Sequence, residues 1–179
     1  MKAFVLAGGL PQIELLKQLK ARNITTVLAD GNENAIARPY ADIFYKLAIF
    51  DIEAVKEVAI KEKVDFLITV CADQVLLVVA QVSEELGLPC YIDYQTAVNV
   101  SDKRYMKKIF WANNIPTSKY KELKVLDMEE IKDLKYPLVV KPVDGYSSKG
   151  VCRVENEEEL KIRFENARGI SRNGGVIVE

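Results

Sequence analysis

The sequence predicts an α/β protein: a parallel sheet covered by helices over residues 1–100, then a smaller α+β unit over residues 101–179. Three observations predict it. Strand-like and helix-like segments alternate through the first hundred residues. The strands among them are continuously apolar, as a sheet buried on both faces requires. After Val100 the alternation stops and shorter, more polar segments follow. With 179 residues, 49% of them apolar and 28% charged, the chain can build a substantial core.

Residues 2–7 read as a buried strand, and residues 11–22 as a helix with Pro11 suited to its first turn. Thr25–Asp30 is a β-branched strand ending on an acid, and residues 41–48 contain a third, short strand. Residues 52–63 are helical, with Val55, Val58 and Ala59 on one face. Residues 65–70 form a fourth strand, and Asp73–Leu86 an apolar helix that Asp73 caps and Gly87 stops. Residues 88–92 are expected to add a fifth strand. Past Val100, Ser101 or Asp102 can cap a helix over residues 103–113, which Ile115-Pro116 ends. Residues 118–123 are strand-like and residues 128–134 a short helix. Residues 137–141 and 151–154 pair as strands around a polar loop. Residues 156–167 are a charged helix with Leu160, Ile162 and Phe164 among its apolar positions. Val176–Val178 is a buried strand, and an apolar strand at the end of a sequence suggests a piece of a longer polypeptide.

Composition removes several classes of function. A net charge of −1 supplies no general field for nucleic acid or an anionic membrane. No run approaches the ~18 apolar residues of a membrane span. The apolar start at Met1 is cut short by Gly8-Gly9, which suits a first strand and not a signal peptide. Cys71, Cys90 and Cys152 are odd in number and widely spaced, which argues against a disulfide framework or zinc site and fits a reducing cytoplasm. Histidine is absent, so Ser-His-Asp, Cys-His and histidine-metal chemistry are excluded from this chain.

Two glycine turns invite a phosphate reading. The first, Ala7-Gly8-Gly9-Leu10-Pro11-Gln12, lacks the last glycine of G-x-G-x-x-G. A dinucleotide site is therefore poorly supported. A tight turn at the strand ends remains, with Gly8, Asp30 and Cys71-Ala72-Asp73 near the mouth of a small-ligand crevice. The second turn spans residues 144–150. Gly145 and Gly150 have the G-x-x-x-x-G spacing, but Val151-Cys152 follow where a P-loop needs Lys and then Ser or Thr. A glycine hairpin can still cover phosphates with its backbone N–H groups, and Ser147, Ser148 and Lys149 add hydroxyls and a charge. The plain alternative is a surface hairpin. Lys141 ends an apolar strand, where an unpaired ammonium is costly. A phosphate oxygen is its natural partner, though an unseen carboxylate would also serve. Lys103 and Arg104 sit in the first turn of a helix, where the dipole disfavours cations. On local grounds a solvated basic face that includes Lys107 and Lys108 accounts for them.

Taken in order, these features resemble the ATP-grasp superfamily, in particular stand-alone proteins similar to the large subunit of carbamoyl-phosphate synthase. The resemblance covers nearly the whole chain. It rests on Val5-Leu6-Ala7-Gly8-Gly9, Asp30 with Asn34-Ala35, and Ala41-Asp42 in the first part. In the second part it rests on the run from Ser101-Asp102-Lys103 through Asn114-Ile115-Pro116-Thr117, on the lysine strand with its glycine loop, and on the segment from Val176 to Glu179. It implies a Rossmann-like pre-ATP-grasp domain over residues 1–100. A linker helix and the first α+β subdomain of the ATP-grasp fold would occupy residues 101–179. It implies that Lys103 and Lys141 bind nucleotide phosphates, with Lys141 on the α and β groups. Gly145, Ser147, Ser148, Lys149 and Gly150 would close over the triphosphate, and Glu179 would begin the adenine-binding segment. The implied activity is that of an ATP-dependent ligase, which activates a carboxylate as an acyl phosphate for attack by an amine or thiol. No catalytic residue is assigned. Mg2+ would be held by residues outside this sequence, and the chain alone would be inactive. The implied partners are small molecules, with no nucleic acid and no membrane, and a homodimer is compatible. The rival reading is a non-catalytic nucleotide- or small-ligand-binding α/β module.

Overall fold

The computed structural model describes residues 1–145 and 148–179; Tyr146 and Ser147 lie outside the described residues. The chain divides into two compact units, Met1–Val98 and Asn99–Glu179. Among the described residues no helix is long and apolar enough to cross a membrane.

The first unit runs β1 (Lys2–Leu6), α1 (Leu10–Ala21), β2 (Thr25–Asp30), β3 (Ile43–Lys46), α2 (Ile52–Glu62), β4 (Phe66–Ile68) and α3 (Asp73–Leu86). Its sheet has the order β3-β2-β1-β4, and every pairing is parallel. Successive side chains of a strand point to opposite faces, and here both faces are covered. Phe4, Leu6, Val27 and Leu67 pack with Val55, Val79 and Val82. Ala3, Val5 and Leu28 pack with Leu16 and Leu19. That double burial is why these strands carry no alternating polar residues. Asp51 caps α2 by accepting from the Ala54 N–H, and Gly87 ends α3 in the left-handed conformation at φ 65°.

Two expectations for this unit fail. Residues 88–92 form no strand: Leu88 N–H bonds back to Ser83 O at the end of α3, and Pro89 has no donor to offer a ladder. Leu88 and Cys90 contribute side chains to the core instead. Asp73 is not a cap; Ala72 holds that position without a side-chain bond, and Asp73 is the first helical residue. A helix that periodicity did not mark, α4 (Tyr94–Ser101), begins where Asp93 accepts from the Thr96 N–H and hydroxyl.

The second unit continues with α5 (Lys103–Ala112), β5 (Lys121–Leu123), β6 (Leu138–Pro142), β7 (Cys152–Val154), α6 (Glu157–Ile170) and β8 (Val176–Val178). Its antiparallel sheet has the order β5-β8-β6-β7. Leu160, Phe164 and Ala167 of α6 pack on Leu138, Val140, Val154, Val176 and Val178. Burial alternates along β6, so Val139 and Lys141 point away from that core. Asn156 caps α6 by accepting from the Glu159 N–H, and the Glu159 carboxylate reaches back to the Glu155 N–H.

Ile162 does not join the core. Two residues from both Leu160 and Phe164, it falls on the opposite side of the helix and is 62% exposed. Residues 128–134 do not form the expected helix; 128–133 are consecutive turns. The Asp127 carboxylate takes the Glu129 N–H two residues on, and Leu134 N–H bonds to Ile131 O, three residues back. Ile131 is still buried in the core.

Candidate functional site

The polar centre of the second unit is built by α5, β6 and the residue after β8. Asp102 caps α5, its Oδ1 accepting from Arg104 N–H at 2.8 Å. The same carboxylate takes the Arg104 guanidinium at 2.5–3.0 Å, and Arg104 also reaches Glu122 at 3.2 Å. Hydrogen bonding to Arg104 holds the Asp102 carboxyl below the usual carboxylate range, against the opposing effect of burial. The first-turn arginine is therefore neutralised within the helix end. Lys103 behaves differently. Its backbone N–H donates to Val143 O at 3.1 Å and its ammonium to Gly145 O at 2.5 Å, so it holds the loop that follows β6.

Glu179 extends the β8 pairing, exchanging both backbone hydrogen bonds with Val139 at 2.6 and 2.9 Å. Its carboxylate collects the site's charges. Oε1 pairs with the Lys141 ammonium. Oε2 receives the Lys107 ammonium at 2.5 Å and the Ser118 hydroxyl at 2.8 Å. Burial pushes the Glu179 carboxyl up, but bonds from Lys107, Lys141 and Ser118 outweigh it and hold the group below its ordinary range. The partner of Lys141 in this structure is thus a carboxylate.

Lys107 overturns the reading of a solvated basic face. It is 7% exposed, and its ammonium also donates to Thr117 Oγ1 at 2.7 Å and Ser118 Oγ at 2.8 Å. The Tyr120 ring lies 5.3 Å from it. Lys108, one residue on, is exposed as expected. The sequence signal that could have found Lys107 is its i,i+4 spacing from Lys103, which puts both lysines on one side of α5.

The loop after β6 needs its glycines. A Cβ at Gly145 would lie 2.4 Å from Pro142 Cγ. Gly150 has φ +74°, and a Cβ there would lie 2.8 Å from Ile170 Cδ1. Ser148 also has positive φ, 57°, and Val151 N–H closes a turn onto Ser148 O at 3.1 Å. Ser148 and Lys149 are exposed in that turn, while Ser147 lies outside the described residues. Asp144 Oδ2 accepts from Arg172 N–H at 3.1 Å, which ties the loop to the end of α6.

The glycine turn of the first unit is organised for a different purpose. Asp30 Oδ2 accepts from Gly8 N–H at 2.6 Å and its Oδ1 from Asn32 N–H at 2.7 Å. A Cβ on Gly8 would sit 2.6 Å from Ala35 Cβ, so close packing of the following loop explains that glycine. Gln12 donates to Val70 O at 2.6 Å, and Thr69 Oγ1 to Leu6 O at 2.8 Å. Cys71 is exposed beside these strand ends, with φ 52°. Among the described residues no group of three or more His, Cys, Asp or Glu could hold a metal ion.

Comparison with known proteins adds to this geometry. Residues 109–179 match the family described as the D-ala D-ala ligase C-terminus. The chain is 29% identical over 174 residues to the formate-dependent phosphoribosylglycinamide formyltransferase of Wolinella succinogenes, covering 94% of this chain and 44% of that protein. It is 26% identical over 153 residues to the carbamoyl-phosphate synthase of Methanobrevibacter smithii, covering 82% of this chain and 41% of that protein. Among solved structures, the ADP complex of N5-carboxyaminoimidazole ribonucleotide synthetase matches with a TM-score of 0.80 at 19% identity, over 99% of this chain and 46% of that one. The chain spans less than half the length of each of these proteins.

Proposed function

The chain has the fold of ATP-grasp enzymes and is similar in sequence to ligases and carbamoyl-phosphate synthases of that class; from that premise we propose that its second unit binds the phosphates of ATP. Lys103 and Lys141 contact the phosphates in this reading. Gly145, Ser147, Ser148, Lys149 and Gly150 cover them, and Glu179 begins the segment that meets adenine. Residues 1–100 serve as the pre-ATP-grasp domain and residues 101–179 as the linker helix with the first grasp subdomain.

The observation that carries the proposal is the charge count around Glu179. Two ammonium groups, from Lys107 and Lys141, converge on one carboxylate. They do so on the sheet face turned away from the α6 core. The cluster keeps one excess positive charge for an anion. The loop that follows β6 has close-packed glycines at 145 and 150 and a lysine-held carbonyl at Gly145. These features fit a polyphosphate.

The full-length protein is proposed to activate a small carboxylate as an acyl phosphate, which an amine or thiol then attacks. Catalysis of this kind depends mostly on positioning and on neutralising phosphate charge, which is the work assigned to this chain's lysines. Mg2+ would accompany the nucleotide, with ligands from residues outside this sequence, and residues 1–179 alone would not turn over. The free Cys71, Cys90 and Cys152 suit a reducing cytoplasm.

The test is ATP binding to the full-length protein by calorimetry. Replacing Lys141 with Ala should weaken ATP about tenfold or more, the size of a lost hydrogen bond between charged groups. Undiminished affinity would overturn the proposal.

A further inference from the structure

Lys107 is the one buried residue of α5, while Tyr105, Met106, Ile109 and Trp111 of the same helix are exposed. Burying an ammonium in place of a hydrophobic side chain is costly. Exchanging a buried ion pair for apolar groups is often neutral or stabilising. Packing alone therefore does not explain the choice. The three donors of the ammonium have three close acceptors: Thr117 Oγ1, Ser118 Oγ and Glu179 Oε2.

We propose that Lys107 is a positioning residue: it engages one oxygen of Glu179 and so keeps the Lys141 ammonium available to an anionic ligand. The proposal rests on the nucleotide-binding reading above. Lys107 and the Ser118 hydroxyl occupy Oε2, which leaves Lys141 only Oε1. Without Lys107, both oxygens and the full negative charge of Glu179 fall to Lys141, which would then be held back from a phosphate. Among the described residues, the polar and charged side chains that bond to the Glu179 carboxylate are Lys107 from α5, Ser118 from the segment before β5 and Lys141 from β6. Lys119, Asp133 and Lys135 line a cavity of about 300 Å³ that also borders Ser118 and Glu179.

The experiment compares ATP binding across pH for the full-length protein, Lys107→Met, Lys107→Arg and Lys141→Ala. In Lys107→Met the dissociation constant should rise about tenfold, as for a lost charged hydrogen bond. That deficit should shrink as pH falls, because protonating Glu179 removes the charge that holds Lys141, and the lost cation moves this protonation to higher pH. Lys107→Arg should recover most of the affinity. In a Glu179→Gln background, adding Lys107→Met should cost little more, since the group it restrains no longer carries charge. Parent-like affinity and pH profile in Lys107→Met, alongside lost affinity in Lys141→Ala, would overturn the positioning role and leave the nucleotide reading standing. Parent-like affinity in Lys141→Ala would remove the nucleotide reading itself. Should Lys107→Met fail to fold, Ser118→Ala removes another donor to Glu179. It should weaken ATP in the same way, with a deficit that shrinks as pH falls, and parent-like affinity at every pH would overturn the proposal.

Discussion

Each unit has a glycine turn after an apolar strand, and the two turns use their polar groups in opposite ways. At Gly8 the nearby acid, Asp30, is occupied by two backbone N–H groups, and the turn is packed against Ala35. At Gly145 the carbonyl takes the Lys103 ammonium of α5, and β6, the strand that leads into this turn, carries Lys141. That Lys141 shares the Glu179 carboxylate with the Lys107 ammonium. The glycines are similar and the charges are not. A glycine turn acquires chemical meaning from the charges delivered beside it, and only the second unit delivers them.

The contrast can be broken most severely at Glu179. Glu179→Ala leaves the buried Lys107 ammonium without its counter-ion, which should destabilise the second unit by about 3 kcal/mol. Trp111, the chain's one tryptophan, lies in α5 and reports that transition by fluorescence during urea denaturation. A smaller effect is expected in the first unit. Asp30→Ala deprives Gly8 N–H and Asn32 N–H of their acceptor and should cost about 1–2 kcal/mol. It should leave ATP affinity unchanged, and a loss of affinity there would erase the distinction between the turns.

Acid supplies the mildest test. The Glu179 carboxyl is held below the ordinary value of 4.5, so its contribution is fully present above that pH and is lost as pH falls through the folded value. Stability reported by Trp111 should therefore drop below about pH 4.5, and Glu179→Gln should flatten that drop. An identical acid limb in the variant would show that the cluster contributes nothing to folding.

Much of the fold is readable in the sequence where local pattern and tertiary burial agree. Thr25–Asp30 and Asp73–Leu86 are found with the bounds expected, because buried parallel strands and an apolar helix closed by glycine carry strong local signals. Residues 88–92 mislead because apolar content supplies core side chains whether or not the backbone joins a ladder. Residues 128–134 mislead because Asp127 bonds locally and starts a turn. At the candidate site, Lys141 and the glycine loop stand out within one short stretch. The pairing of Glu179 with Lys107 and Lys141 does not, since those contacts join residues 72 and 38 positions apart. Only the packing of α5 and the β6–β8 register brings them together.

Calorimetric titration of ATP into the full-length protein, Lys141→Ala and Asp30→Ala tests the central claim most directly. The account predicts that affinity falls about tenfold or more in Lys141→Ala and is retained in Asp30→Ala. Parent-like affinity in Lys141→Ala would contradict it.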